Sequence, residues 1–144
     1  MAATKSGFAG VRSRSLAVRG GIAVVLSAIG NAVVLVVVQA LEIAPDFQAL
    51  TFPPVLFLSA VGAVGAVGVY WLLDRRAERP ARTFRRVAAG VLVVSFVPDL
   101  ALLAVDEAAT VPGVLVLMLM HVVVAAVAVG VLVGWGGDGA AVER

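Results

Sequence analysis

Cysteine is absent from the 144 residues, which excludes disulfides, thiol redox chemistry and thiolate metal sites. A thiol-dependent quinone reductase is excluded with them. Charge is scarce: 14% of residues are Asp, Glu, Lys or Arg, against about a quarter in a soluble domain. Histidine occurs once, and the formal charge of +2 is too small to argue for a nucleic-acid partner. No nucleophile elbow, phosphate-binding loop, metal-spaced cluster or heptad seam is present. Neither a metal nor a cofactor is expected.

What fills the chain instead is apolar. Hydrophobic residues make up 62%, with a mean hydropathy of +1.09. Four runs reach the roughly 20 residues that cross a bilayer, at 20–41, 53–73, 87–105 and 112–133. The expected fold is all-α, a polytopic four-helix bundle. Residues 1–19 read as a basic arm, 20–134 as the transmembrane domain, and 135–144 as a flexible tail with Trp135 at the interface. With so little chain outside the spans, function is expected within or against the membrane.

Charge sorts by side. Lys5, Arg12, Arg14 and Arg19 precede span one, and Arg75, Arg76, Arg79, Arg82, Arg85 and Arg86 fill the second connection. Glu42, Asp46, Asp106 and Glu107 lie in the other two connections, which hold no basic residue. The positive-inside rule then places both termini in the cytoplasm, with the protein in the cell membrane. So lopsided a distribution argues against dual topology. A cleaved signal peptide would fit the basic start and "VQA" at 38–40, but span one is longer than the 7–15 residues of a signal core. The arginine connection marks topology and can also attract anionic lipids, at about 1 kcal/mol per basic residue near the surface. Tyr70, Trp71, Phe47 and Phe52 fit aromatic belts.

An internal duplication is expected. "TFPPVLFL" (51–58) and "TVPGVLVL" (110–117) open the two even spans, while "SAIGN" (27–31) and "SFVPD" (95–99) lie inside the two odd ones. Two tandem helical hairpins would be related by an axis along the membrane normal. In that alignment His121 occupies the position of Gly62, so the glycine is expected to leave room for the imidazole.

Six polar residues within the spans need an explanation: Ser27, Asn31, Ser59, Ser95, Asp99 and His121. Asp99 lies seven residues before Asp106 and His121 nine after Pro112. At 1.5 Å per residue both sit about 10–14 Å from the short third connection. Spans three and four are therefore antiparallel neighbours whose acid and imidazole share a depth, with Asn31 and Ser59 in the same layer. Ser27 and Asn31, like Ser95 and Asp99, are four apart and share a helical stripe. Gly62, Ala63 and Ala66 beside Ser59, and Ala125 and Ala128 beside His121, are small enough for close helix packing.

A central aspartate costs about 2.5–3.5 kcal/mol to insert, and the eleven Leu, Val and Phe residues of 87–105 return roughly 3–6 kcal/mol. The span inserts with Asp99 facing the bundle, where an ionised carboxylate needs a cation or donor. Pro98 removes a bond to the Val94 carbonyl and is expected to kink the helix, with the Ser95 hydroxyl re-satisfying freed backbone. A full break would instead place Asp99 in the positive first turn of a half-helix. Asn31, Asp99 and His121 then form either a polar lock or a site for protons or a small solute. Haem ligation is not supported, because Met118 and Met120 sit on His121's own helix. "GWGGDG" (134–139) matches a dinucleotide pattern but follows a membrane helix, so it carries nothing. Small multidrug exporters share the size, yet they carry a glutamate in span one where Asn31 stands here.

The "ERPARTFRR" connection, "SFVPD" in span three and "MH" in span four resemble a prokaryotic four-span membrane family catalogued only as a domain of unknown function. The resemblance implies the fold and highlights Ser95, Pro98, Asp99 and His121, without an activity. The expected role is a non-enzymatic accessory or assembly module held by a polar lock. The alternative is a small transporter or proton-coupled permease using Asp99 and His121. Expected partners are the bilayer, anionic lipids, and a membrane protein or second copy.

Overall fold

The computed structural model describes residues 4–134, with side chains from residue 15 onward. Four helices run α1 (Thr4–Ala40), α2 (Phe52–Arg76), α3 (Pro80–Val105) and α4 (Val111–Val133), with a 3₁₀ turn at Gln48–Leu50. Each is long and apolar enough to cross a membrane. Two helices outrun the apolar segments. α1 starts at Thr4, inside the stretch read as an arm, and α3 starts at Pro80 rather than Val87. Arginines are good helix formers whose heads reach the interface while the backbone stays helical, so charge did not mark the helix ends. The proposed tail with Trp135 lies outside the described residues.

Local chemistry sets the remaining ends. α2, α3 and α4 all open with proline in the first turn, where its missing N–H is no loss. α1 closes in a Schellman motif: Ile43 N–H donates to Val38 carbonyl (3.0 Å) and Glu42 N–H to Gln39 carbonyl (3.1 Å), with Glu42 at φ 53. The two Thr-Pro motifs are used differently. Thr110 caps α4 by accepting from Gly113 N–H, whereas Thr51 donates to the Gln48 carbonyl and caps nothing.

α1 packs against α2 and α4, and α3 packs against α4 but more lightly against α2. α1 and α3 scarcely touch. The core divides into two apolar clusters. At the acidic end, Leu35, Val38, Phe47, Leu50, Val55, Val114 and Met120 pack together, so Phe47 is buried core rather than part of an aromatic belt. At the arginine end, Phe84, Ala128 and Leu132 form the second cluster, with Tyr70 edge-on to Phe84 at 5.2 Å. Between them lies the polar layer.

Close helix approach falls mainly on α1. A Cβ at Gly30 would stand 3.0 Å from Val123, and one at Gly20 3.0 Å from Val67. Arg19 fastens the same end by donating from Nε to the Val131 carbonyl (3.0 Å) and from its guanidinium to the Leu132 carbonyl. It thereby serves two orphan acceptors at the end of α4 with a favourable charge. Arg19→Ala is expected to cost about 1–2 kcal/mol, measured by thermal unfolding in detergent micelles. A Tm within 1 °C of wild type would show the contact to be inert.

Candidate functional site

The polar residues divide between two places. Asn31 on α1 donates from Nδ2 to Ser59 Oγ on α2 (2.8 Å) and to the Met120 carbonyl on α4 (3.3 Å). Ser59 Oγ donates onward to the Val55 carbonyl at 2.6 Å, so it must accept from Asn31, which fixes the orientation of the amide. Three helices are joined by this lock. Removing it as Asn31→Ala should cost about 1–2 kcal/mol, the upper range for hydrogen bonds between membrane helices. Unfolding in mixed detergent micelles measures it, and an unchanged midpoint would refute the lock. Ser27, one turn before Asn31, is fully buried with an unpartnered hydroxyl and takes no part.

Asp99 and His121 are elsewhere. His121 Nδ1 lies 3.0 Å from Asp99 Oδ2, joining α3 to α4 at the depth their positions implied. The contact has ion-pair distance without hydrogen-bond alignment. Nδ1 is directed at the Leu117 carbonyl (2.9 Å), and Oδ2 is buried with no aligned donor. A carbonyl only accepts, so Nδ1 carries the proton and, in the neutral ring, Nε2 is an open acceptor. The Asp99 side chain is 8% exposed and that of His121 38%.

Exposure of the imidazole comes from a cleft of about 590 Å³. α4 supplies its floor through His121, Val124, Ala125 and Ala128, and α2 and α3 form its walls. Along the α2 wall it extends from Pro54 to Val69, fifteen residues or about 22 Å, much of a 30 Å hydrocarbon core. Nearly all of the lining is apolar, with Asn31, Ser59, Ser95, Asp99 and His121 grouped in one layer.

Several expectations need correction. Gly62 does not house the imidazole: a Cβ there would stand 3.4 Å from Val124, an ordinary contact. Of the small residues in α2, Ala63 is fully buried, whereas Gly62 and Ala66 line the cleft. Ser95 donates to the Leu92 carbonyl at 2.7 Å, not to the carbonyl freed by Pro98. α3 runs through Pro98 without a break, so Asp99 is not in the first turn of a half-helix. Gly65, unremarked in the sequence, lines the cleft with open space where its Cβ would be. Its only signal was its place three residues after Gly62.

Most of the arginine connection is helical. Arg75 and Arg76 end α2, Arg79 is the residue before α3, and Arg82, Arg85 and Arg86 occupy its first two turns. Arg75 stacks over Trp71 at 3.9 Å. Arg79, Arg82 and Arg86 surround a recess of about 370 Å³ together with Glu78 and Thr83.

Residues 11–136 match the model of a family described as a family of unknown function, DUF6069. The chain belongs to DUF6069. The match takes in all four apolar helices and both halves of the polar layer, in keeping with the resemblance carried by "SFVPD" and "MH". No curated protein and no solved structure matches the chain.

Proposed function

We propose that this DUF6069 protein is a membrane carrier that holds a small membrane-dissolved solute in the cleft against Asp99 and His121. One observation carries this reading: a largely apolar cavity of ligand size reaches a buried carboxylate whose Oδ2 lacks an aligned donor. Asn31 and Ser59 are joined by aligned bonds, to each other and to the Met120 carbonyl, although Asn31 Oδ1 has no partner, whereas Asp99 and His121 share no aligned bond and line the cavity. An intramembrane acid facing a cavity is instead the usual mark of a solute or proton pathway. The role is non-enzymatic, the membrane is the cell membrane, and both termini face the cytoplasm in accord with the arginine bias. The recess at Arg79, Arg82 and Arg86 suits anionic headgroups on that side.

Proteoliposome flux of protons and lipophilic solutes tests the proposal, comparing wild type with Asp99→Asn and His121→Ala. Reduced flux in both variants is expected, and equal flux in all three ends it. A second reading, an accessory subunit docked through α3, is favoured by how little of that helix is covered: only Phe84 and Asp99 are buried. Co-purification of a stoichiometric membrane partner with flux indifferent to Asp99→Asn would select it.

A further inference from the structure

We infer that the cleft takes a single-tailed amphiphile bearing a protonated amine, its head at Asp99 and His121 and its tail lying toward the arginine end. The inference rests on the carrier reading and specifies its ligand.

Head chemistry follows from what the site offers. Asp99 lines the cleft with a side chain 8% exposed, its Oδ2 buried against the imidazole without an aligned donor, and His121, committed through Nδ1 to the Leu117 carbonyl, leaves Nε2 as an acceptor. Among the described residues that line the cleft these are the only titratable groups, and none is Lys or Arg. Beside the carboxylate stands only an imidazole 3.0 Å away without hydrogen-bond alignment, so positive charge is attracted there, and two acceptors suit a group with several N–H donors. An ammonium head supplies both. An anionic head would meet like charge, and a hydroxyl would leave the carboxylate uncompensated.

Tail geometry follows from where the polar layer falls. Between Ser59 and Val69 the α2 wall continues for ten residues, about 15 Å, toward the arginine end. Gly62, Gly65 and Ala66 line that stretch, facing Phe84, Val87 and Val91 of α3. Small residues on one wall, with nothing within 4 Å of a Cβ at Gly65, leave apolar room for a tail against the other wall. α3 packs only lightly on α2, so a molecule dissolved in the bilayer enters sideways.

The chain's one histidine makes the test direct, because ¹⁵N-histidine labelling gives a single imidazole spectrum. Protein in nanodiscs is titrated with dodecylamine, dodecanoate, dodecanol and butylamine. Dodecylamine is expected to shift the Nε2 resonance saturably, at least tenfold more tightly than either dodecanoate or dodecanol. Asp99→Asn is expected to weaken it tenfold or more. Gly65→Leu adds bulk where nothing stands within 4 Å, so the helix bundle is undisturbed while the channel is filled. That variant should lose dodecylamine affinity and keep the weak butylamine response.

Dodecanol or dodecanoate binding as tightly as dodecylamine overturns the amine assignment and leaves the cleft a solute site. A Gly65→Leu protein that binds dodecylamine normally overturns the tail placement. No saturable shift with any of the four overturns the inference, and flux that is also insensitive to Asp99 brings down the carrier reading with it.

Discussion

Asp99→Leu is expected to fold as stably as wild type or more so, by about 1–3 kcal/mol, while solute flux is lost. The sign comes from comparing two terms. Leucine in place of a central aspartate improves insertion by roughly 3 kcal/mol. Against that stands the contact with His121, which has distance without alignment and leaves Oδ2 unbonded. Removing one partner of a buried pair is costly when it strands a charge, but the His121 side chain is 38% exposed and carries charge only when protonated, so the neutral ring is left with nothing to compensate. Asp99→Asn, nearly isosteric, should keep stability within about 0.5 kcal/mol and weaken binding of a cationic solute several hundredfold, from loss of roughly 3–4 kcal/mol of charge attraction at intermediate dielectric. Asn31→Leu should behave in the opposite way, losing stability through the bonds to Ser59 and Met120 while disturbing flux less. Unfolding midpoints in mixed micelles and proteoliposome flux give the two readouts. If Asp99→Leu destabilises more than Asn31→Leu, the acid is part of the scaffold and the division between lock and site is wrong.

That division is organised by α4. Met120 and His121 are consecutive, so their positions differ by about 100° around the helix. The Met120 carbonyl receives Asn31 from the α1–α2 side, and the His121 ring meets Asp99 on the α3 side. α4 therefore belongs both to a tightly joined trio with α1 and α2 and to the floor of the cleft. α3 packs along α4 but only lightly on α2, and buries just Phe84 and Asp99, so it is the least enclosed of the four helices. In the proposed carrier α3 is the least restrained element, the one an alternating-access motion would use.

The membrane fold was legible because insertion depends on run length and charge, and both are written in the chain. Depth was legible too: counting from Asp106 and Pro112 brought Asp99 level with His121, and the two meet. Facing was not. In lipid an apolar residue sits equally well inside or outside, so hydrophobic periodicity does not reveal the packed side of a span. Hence the repeat aligns Gly62 with His121 although Gly62 faces Val124, and no pattern marks the close approaches at Gly20 and Gly30. The burial of Phe47 is hidden for a related reason. An aromatic near a helix end suits the interface on composition, whereas here the Schellman turn at Glu42 folds the connection back over the bundle and buries it. Arg19 looked like one more basic residue, and only the register of α1 beside α4 brings it to the Val131 and Leu132 carbonyls.

The connection that buries Phe47 supplies the largest expected loss of stability. Gly113 is buried in the first turn of α4, and a Cβ there would lie 3.0 Å from Ala44 Cβ, 3.0 Å from Phe47 Cδ1 and 3.2 Å from Thr110 Oγ1. Two of these neighbours yield poorly. Ala44 is held at φ 52, and Phe47 is 1% exposed within the Leu35–Leu50–Val114 cluster. For Gly113→Ala the crowding is offset by the gain of about 1 kcal/mol in helix propensity, so the net change is small. Gly113→Leu adds three more carbons with nowhere to go except through Phe47. Overpacking of this kind costs about 1–3 kcal/mol, and expulsion of Phe47 from the core adds about 2 kcal/mol more. The expected total, about 3 kcal/mol or more, would appear as a large drop in the unfolding midpoint in micelles. Flux per folded molecule should survive, since the crowding lies beyond the Asp99–His121 layer at the acidic end. A Gly113→Leu protein within 0.5 kcal/mol of wild type would mean that the 41–50 connection is not packed on α4, and that the acidic end of the bundle stands open.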